Sequence, residues 1–275
     1  MSHLEERLEN DLNKIRSRVE KQAELVETAV VNAIHALQTG NNKLAYATIL
    51  NDLPINRAMR EIDSICHKFI AVHLPSGGHL RLLSSVIRVN MELERIGDYA
   101  VTIARESAQL SKPPEGNIAR ELDRMASETM LMLRQSVRAF DDLNAEMGRS
   151  TKLLADQMES NLDSIYTEMM TNQDRGKVKD VLAVFVVFTQ LKRVADQAKN
   201  LCEDTIFAVT GEQKAPKVYK ILFLDEDNSK SRMAEAIARK NYPESGEYTS
   251  AGRHPAGSLN PHLVSFLENR GQNLE

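Results

Sequence analysis

The segment Leu93-Glu94-Arg95-Ile96-Gly97-Asp98-Tyr99-Ala100 returns as Leu191-Lys192-Arg193-Val194-Ala195-Asp196-Gln197-Ala198, which puts Asp98 and Asp196 98 positions apart. A repeat at that distance, carried on two long amphipathic stretches, makes the first three quarters of the chain one helical unit used twice. It also gathers charge. In the first copy Glu94 and Asp98 stand four residues apart, on one face of a helix. A like-charge pair at that spacing costs about 0.2–0.5 kcal/mol, and a bound cation would reverse the cost.

The apolar periodicity fills in the unit. Ser2-His3-Leu4-Glu5 fits a capping box, and Leu8, Leu12, Ile15, Val19, Ala23, Val26, Val30, Ala33 and Leu37 follow at spacings of three or four. Gly40-Asn41-Asn42 ends that helix. A second helix is predicted over 43–73, a turn at Pro75-Ser76-Gly77-Gly78, and a third helix over 79–110. After Pro113-Pro114-Glu115-Gly116, a fourth helix carries Ile118, Leu122, Met125, Met132, Val137, Phe140 and Leu143, with Gly148 closing it. A fifth is predicted over 152–172, a turn at Gln173-Asp174-Arg175-Gly176, and a sixth helix over 178–209. Short connections join neighbours that run in opposite directions. The expected fold is therefore mainly α: two pseudo-symmetric three-helix bundles, residues 1–112 and 114–212.

Gly211-Glu212-Gln213-Lys214-Ala215-Pro216-Lys217 reads as a linker, and the period then changes. Val218-Tyr219-Lys220-Ile221-Leu222-Phe223-Leu224 is a strand signal. A polar turn, a helix over 233–240, a strand over 247–250 and a helix opened by Asn260-Pro261 follow. Residues 218–275 thus form a partial α/β segment, too small to bury much core by itself.

Charge and composition exclude several roles. With 35 basic against 39 acidic residues and a net charge of −4, nothing supports nucleic-acid binding. The longest apolar run, residues 181–188, falls short of the ~20 residues a span needs, so no direct membrane insertion is expected. The first 14 residues are polar, with no signal-peptide pattern. Cys66 and Cys202 occupy non-equivalent repeat positions and read as buried reduced thiols of a cytosolic protein. None of the seven histidines has Glu three residues before it, which counts against a ferritin-like di-metal bundle. Cys66, His67 and His73 have no other soft ligand at zinc spacing.

On these residues the chain resembles the PhoU family of phosphate-signalling proteins. The doubled Leu-Glu-Arg-Ile-Gly-Asp-x-Ala motif carries the likeness. Leu74-Pro75-Ser76-Gly77-Gly78-His79-Leu80-Arg81 resembles the family's proline-turn entry to the motif helix, and Asn51-Asp52 and Asp156-Gln157 fall at its acidic position on the middle helix. The likeness covers about residues 1–212. It implies a cytoplasmic regulator, peripheral at the inner face of the membrane through its partners and expected as a homodimer. Those partners would be a phosphate ABC transporter ATPase and a sensor histidine kinase, and phosphate-starvation gene expression would be damped through the link. It also implies metal binding at Glu94 and Asp98, and at Asp196 in the second copy, where Lys192 replaces the other acid. Carboxylate-only donors suit Mg²⁺, Mn²⁺ or iron, and Asp52 could join Glu94 and Asp98 on one ion. Lys192 and Asp196 form an opposite-charge pair that needs no metal, so one competent acidic site is expected. Gly97 costs about 1 kcal/mol against Ala in a helix, which close helix packing would explain. A bare helical scaffold without metal is the plain alternative.

The tail resembles the opening of low-molecular-weight protein tyrosine phosphatases and thioredoxin-coupled arsenate reductases, through Lys220-Ile221-Leu222-Phe223-Leu224, Asn228-Ser229, Met233-Ala234-Glu235-Ala236, Ser250-Ala251-Gly252-Arg253-His254-Pro255 and Asn260-Pro261. The chemistry of that family needs Cys-x5-Arg, a thiolate nucleophile with an Arg clamp on the oxyanion. Asp225 stands where the Cys should be, and Arg232 lies seven residues on. Six residues after Cys66 comes Val72, and six after Cys202 comes Ala208. The expectation is a catalytically silent tail. The competing reading is a low-molecular-weight phosphatase or arsenate reductase with a helical regulatory domain.

Overall fold

The computed structural model describes residues 3–154, 178–214, 218–254 and 261–269. Ser2, most of the expected fifth helix with Asp156 and Gln157, the turn after it, residues 215–217, Pro255 and Asn260 lie outside the described residues. The chain divides into two compact units, Met1–Gln213 and Lys214–Glu275.

The first unit is helical. Its elements are α1 (His3–Thr39), α2 (Asn42–Leu50), α3 (Asp52–His73), α4 (Gly77–Gln109), α5 (Gly116–Asp141), a helical stretch over 145–154 (α6) and α7 (Val178–Thr210). The fold class matches the mainly α expectation, with two differences of detail. The helix expected over 43–73 is broken at Asn51, which closes α2 and opens α3. Pro54 explains the break: it has no N–H to give to residue 50, and its ring would strike that carbonyl in a continuous helix. Pro54 instead sits in the first turn of α3, where the N–H groups are free anyway.

The second difference is at Gly148. It does not end the fourth helix, which stops at Asp141, but lies inside α6. A Cβ there would stand 3.2 Å from the Cys202 carbonyl oxygen and 3.4 Å from Ile206 Cγ1, so Gly148 allows α6 to approach α7 closely. The true stop is Leu143 at φ 49, followed by Asn144, whose Oδ1 accepts from Met147 N at 3.0 Å. The first copy has the same device. Gly40 at φ 66 precedes Asn41, whose Oδ1 accepts from Leu44 N at 3.1 Å. Asn41 N and Asn144 N each reach back five residues, to Ala36 O and Ala139 O. The copies share this cap although Gly in one is Leu in the other.

The core runs through both copies. Leu93, Ile96, Gly97 and Ala100 of α4 are buried, and so are their counterparts Leu191, Val194, Ala195 and Ala198 of α7. These positions follow the helical period, so the repeated octamer is first of all a core stripe. Among the described residues, α4 and α7 share the most extensive helix–helix interface in the unit. Across it Gln197 Nε2 donates to Tyr99 Oη at 3.3 Å. Those two residues occupy the same place in the two copies. Equivalent positions touching each other is the mark of a pseudo-twofold axis.

The second unit contains β1 (Tyr219–Asp225), α8 (Ser229–Asn241), β2 (Gly246–Gly252) and α9 (Pro261–Glu268). β1 and β2 pair in parallel, from Tyr219 with Gly246 to Asp225 with Gly252, with α8 as the crossover between them. Both cysteines are buried and free, and burial first of all pushes each thiol up to about 12, where neither is a thiolate nucleophile.

Candidate metal centre

The core stripe of α4 turns Glu94 and Asp98 away from the interior. Glu94 is partly buried and Asp98 exposed. α3 supplies the third acid. Ile55, itself fully packed, rests on Gly97: a Cβ on that glycine would lie 3.1 Å from Ile55 Cδ1 and 3.2 Å from Cγ2. This contact sets the first turn of α3 against α4, and Asp52 stands one turn before Ile55. The three carboxylates feel one another. Burial first, then the charge of Asp98, raises Asp52 above the usual carboxylate range, while Arg105 and the Asn56 amide work the other way. Glu94 is raised by burial, then by Asp98 and Asp52, with Arg95 opposing.

The group is gathered but not closed. Among the described residues no three His, Cys, Asp or Glu side chains stand close enough to hold one ion. Asp52 is drawn onto Asn56, whose Nδ2 donates to Asp52 Oδ2 at 2.6 Å. Its other oxygen, Oδ1, is buried with no hydrogen-bond partner. A buried carboxylate oxygen without a donor is costly, and a cation would satisfy it. The donors are all carboxylate oxygens, a chemistry that suits a hard cation.

The second copy differs. Lys192 Nζ lies 3.3 Å from Asp196 Oδ2, so the exposed Asp196 already has an opposite charge beside it. Of the four acids named from sequence, Glu94, Asp98 and Asp52 come together, and Asp196 stands apart on α7.

Comparison with known proteins bears on the repeat. The PhoU domain matches twice, over residues 19–107 and 122–205. The chain belongs to the PhoU domain family. The PhoU homolog of Clostridium acetobutylicum, a phosphate-specific transport system accessory protein, is 26% identical over 208 residues, covering 74% of this chain and 95% of that protein. The accessory protein PhoU homolog of Pseudomonas putida is 30% identical over 216 residues, covering 76% and 83%. The crystal structure of PhoU from Pseudomonas aeruginosa superposes with a TM-score of 0.71 at 28% identity, covering 74% of this chain and 99% of that one. The PhoU match ends before the second unit begins.

Among the charged pairs of the PhoU-like unit that escaped the sequence reading is one between the two copies. Arg88 of α4 binds Asp204 of α7 through Nε. It also donates to Ser84 Oγ at 2.8 Å and Ser85 Oγ at 3.2 Å, and its guanidinium lies 4.9 Å from the centre of the Phe207 ring. Asp204 is buried, and burial pushes it up to about 6 although Arg88 pulls it down. This pair ties the two copies together at their shared interface. Its members are 116 residues apart, so no local pattern announces them. Among the described residues no helix is long and apolar enough to cross a membrane.

In the second unit, Asp225 closes β1 and turns its carboxylate into the loop that follows. It accepts from Asn228 N at 2.7 Å, Lys230 N at 2.7 Å, Ser231 N at 3.2 Å and Ser231 Oγ at 2.9 Å. Desolvation pushes this carboxyl up, but the Ser231 hydroxyl and the three backbone donors outweigh it and hold Asp225 below its usual range. Asn228 adopts φ 63, and the loop rides over Gly252, where a Cβ would come within 2.6 Å of Asn228 N. The loop's inward N–H groups are engaged by the chain's own acid.

Proposed function

We propose that this chain regulates phosphate uptake and phosphate-starvation signalling from the inner face of the membrane. It would act as the accessory protein of a phosphate ABC transporter and contact both the transporter's ATPase and a sensor histidine kinase. The observation that carries the reading is the double PhoU match combined with near-complete coverage of relatives named as phosphate-specific transport system accessory proteins. The acidic face of α4, with Asp52, would hold Mg²⁺, Mn²⁺ or iron. The orphaned Asp52 oxygen and the mutual repulsion of the three acids support that role, and the Lys192–Asp196 pair supports a single site in place of two. The expected assembly is a homodimer. The test is retention: immobilised full-length chain should capture the transporter ATPase or the sensor kinase from purified components. Capture of neither, with folded proteins on both sides, sinks the regulatory reading.

The tail adds no catalysis in this reading. Asp225 takes the place a nucleophile would need and occupies the loop donors that would otherwise meet an oxyanion. Aryl phosphate, and arsenate with thiols, should be turned over at background rates. Turnover abolished by Asp225→Ala would favour the phosphatase or reductase reading.

A further inference from the structure

α4 has a second fastening to α3, and this one is polar. Asn90 lies one turn before Glu94 on the buried side of α4, with 1% of its surface exposed. Its Nδ2 donates to Met59 O of α3 at 2.9 Å. Gln22 of α1, fully buried, donates from Nε2 to Asn90 O at 3.2 Å. Three helices of the first copy thus meet on two amide side chains. The arrangement is costly. Gln22 Oε1 and Asn90 Oδ1 are both buried with no hydrogen-bond partner, and an acceptor buried without a donor destabilises the fold.

The second copy does without these amides. α5 repeats α1 at a spacing of 103, the distance from Gly40 to Leu143, and α7 repeats α4 at 98. At the first spacing, buried Val19, Ala23 and Leu37 correspond to buried Leu122, Ala126 and Phe140. Gln22 then corresponds to Met125, and Asn90 to Phe188, both buried. The same fold packs an apolar pair at these two places, so stability does not call for amides there. The copy without them is the one in which Lys192 stands beside Asp196.

What differs is the demand on α3. The packing of Ile55 on Gly97 is non-directional, whereas a hydrogen bond to one carbonyl is directional and short-ranged. A slide of one residue along the helix axis, about 1.5 Å, would take Asn90 Nδ2 off Met59 O. Asp52 sits two turns before Met59 on the same helix, so the bond fixes the height at which Asp52 meets Glu94 and Asp98. Holding register at a cost in stability is an attested role of buried amides.

We propose that Asn90, braced by Gln22, is the positioning residue of the acidic face, setting the register of α3 on α4 so that the three carboxylates can share one hard cation. The proposal rests on the metal reading above, and a metal-free measurement separates the two.

The test compares the full-length wild type with Gln22→Met combined with Asn90→Leu, which replaces both amides by apolar side chains of similar size. The urea midpoint should hold or rise, because two orphaned oxygens disappear. Mn²⁺ affinity by calorimetry should fall at least about tenfold, the scale seen when a group that orients a metal ligand is lost. Asn90→Leu alone should weaken Mn²⁺ likewise. Leu122→Ala, a core truncation in the second copy, should lower the urea midpoint and leave Mn²⁺ affinity unchanged. In metal-free protein, Asp52→Asn and Asp98→Ala relieve one shared repulsion. Their effects on the midpoint should be less than additive in the wild type and additive in the amide-free background. Unchanged Mn²⁺ affinity in both amide variants overturns the proposal, as does the same Asp52–Asp98 coupling in both backgrounds. A double-variant midpoint as low as that of Leu122→Ala also overturns it, by assigning the amides to stability. Absence of Mn²⁺ binding by the wild type sinks the metal reading alone, and the coupling measurement then decides the register.

Discussion

Gly97→Ala probes how the candidate centre is built. The new methyl would stand 3.1 Å from Ile55 Cδ1 and 3.2 Å from Cγ2, closer than ordinary carbon contacts. Ile55 is fully buried and has little room to withdraw. Overpacking of this kind costs about 1–3 kcal/mol, and replacing a mid-helix glycine returns about 1 kcal/mol. The net expectation is a loss of about 1 kcal/mol, from a change that in an open helix would stabilise. Ile55→Ala removes both close atoms and leaves only Cβ, 3.9 Å away. That variant loses about 2–5 kcal/mol by itself, but within it Gly97→Ala should stabilise by about 1 kcal/mol. The substitution should therefore change sign between backgrounds. Urea unfolding followed by circular dichroism, arranged as a double-mutant cycle, measures this. If Gly97→Ala stabilises both backgrounds equally, α3 is not held on α4 by this contact, and the account of how Asp52 is placed fails.

Three further outcomes are expected. In metal-free protein, Asp52→Asn should raise the melting temperature at neutral pH. Folding raises this carboxyl, so the folded chain binds more protons than the unfolded one just above the ordinary carboxylate range. The wild type gains stability as pH falls through that window, and the advantage of Asn should shrink there. Asp204, pushed up to about 6, obeys the same sign: Asp204→Asn should gain on the wild type as pH rises from 5 to 7.5, and a pH-independent difference would contradict the burial argument. Arg88→Met, which leaves Asp204 buried without its partner, should cost about 2 kcal/mol in urea unfolding at pH 7.5, and an unchanged midpoint would show that the pair does not link the copies.

Much of this was legible in the sequence because the repeat is a packing signal. Leu93, Ile96, Gly97 and Ala100 recur in kind at 191, 194, 195 and 198 since both helices bury the same stripe, and that stripe fixes which way Glu94 and Asp98 face. The break at Asn51 was also present, in Pro54, but the apolar period on either side masked it. Gly148 misled because a glycine late in a helix reads as a stop. Only the neighbouring α7 shows that it serves close approach, and the real stop, Leu143-Asn144, lacks the glycine that marks its counterpart at Gly40-Asn41. Arg88 and Asp204 were out of reach for a different reason. A pair formed across the interface between copies depends on a superposition that spacing alone does not supply.

Calorimetry with Mn²⁺ tests the central claim most directly. A duplicated fold with one competent acidic face predicts a single tight site per chain, lost in Asp98→Ala, weakened in Asp52→Asn, and unaffected in Asp196→Ala. Two equal sites, or binding by Asp98→Ala indistinguishable from the wild type, would contradict it.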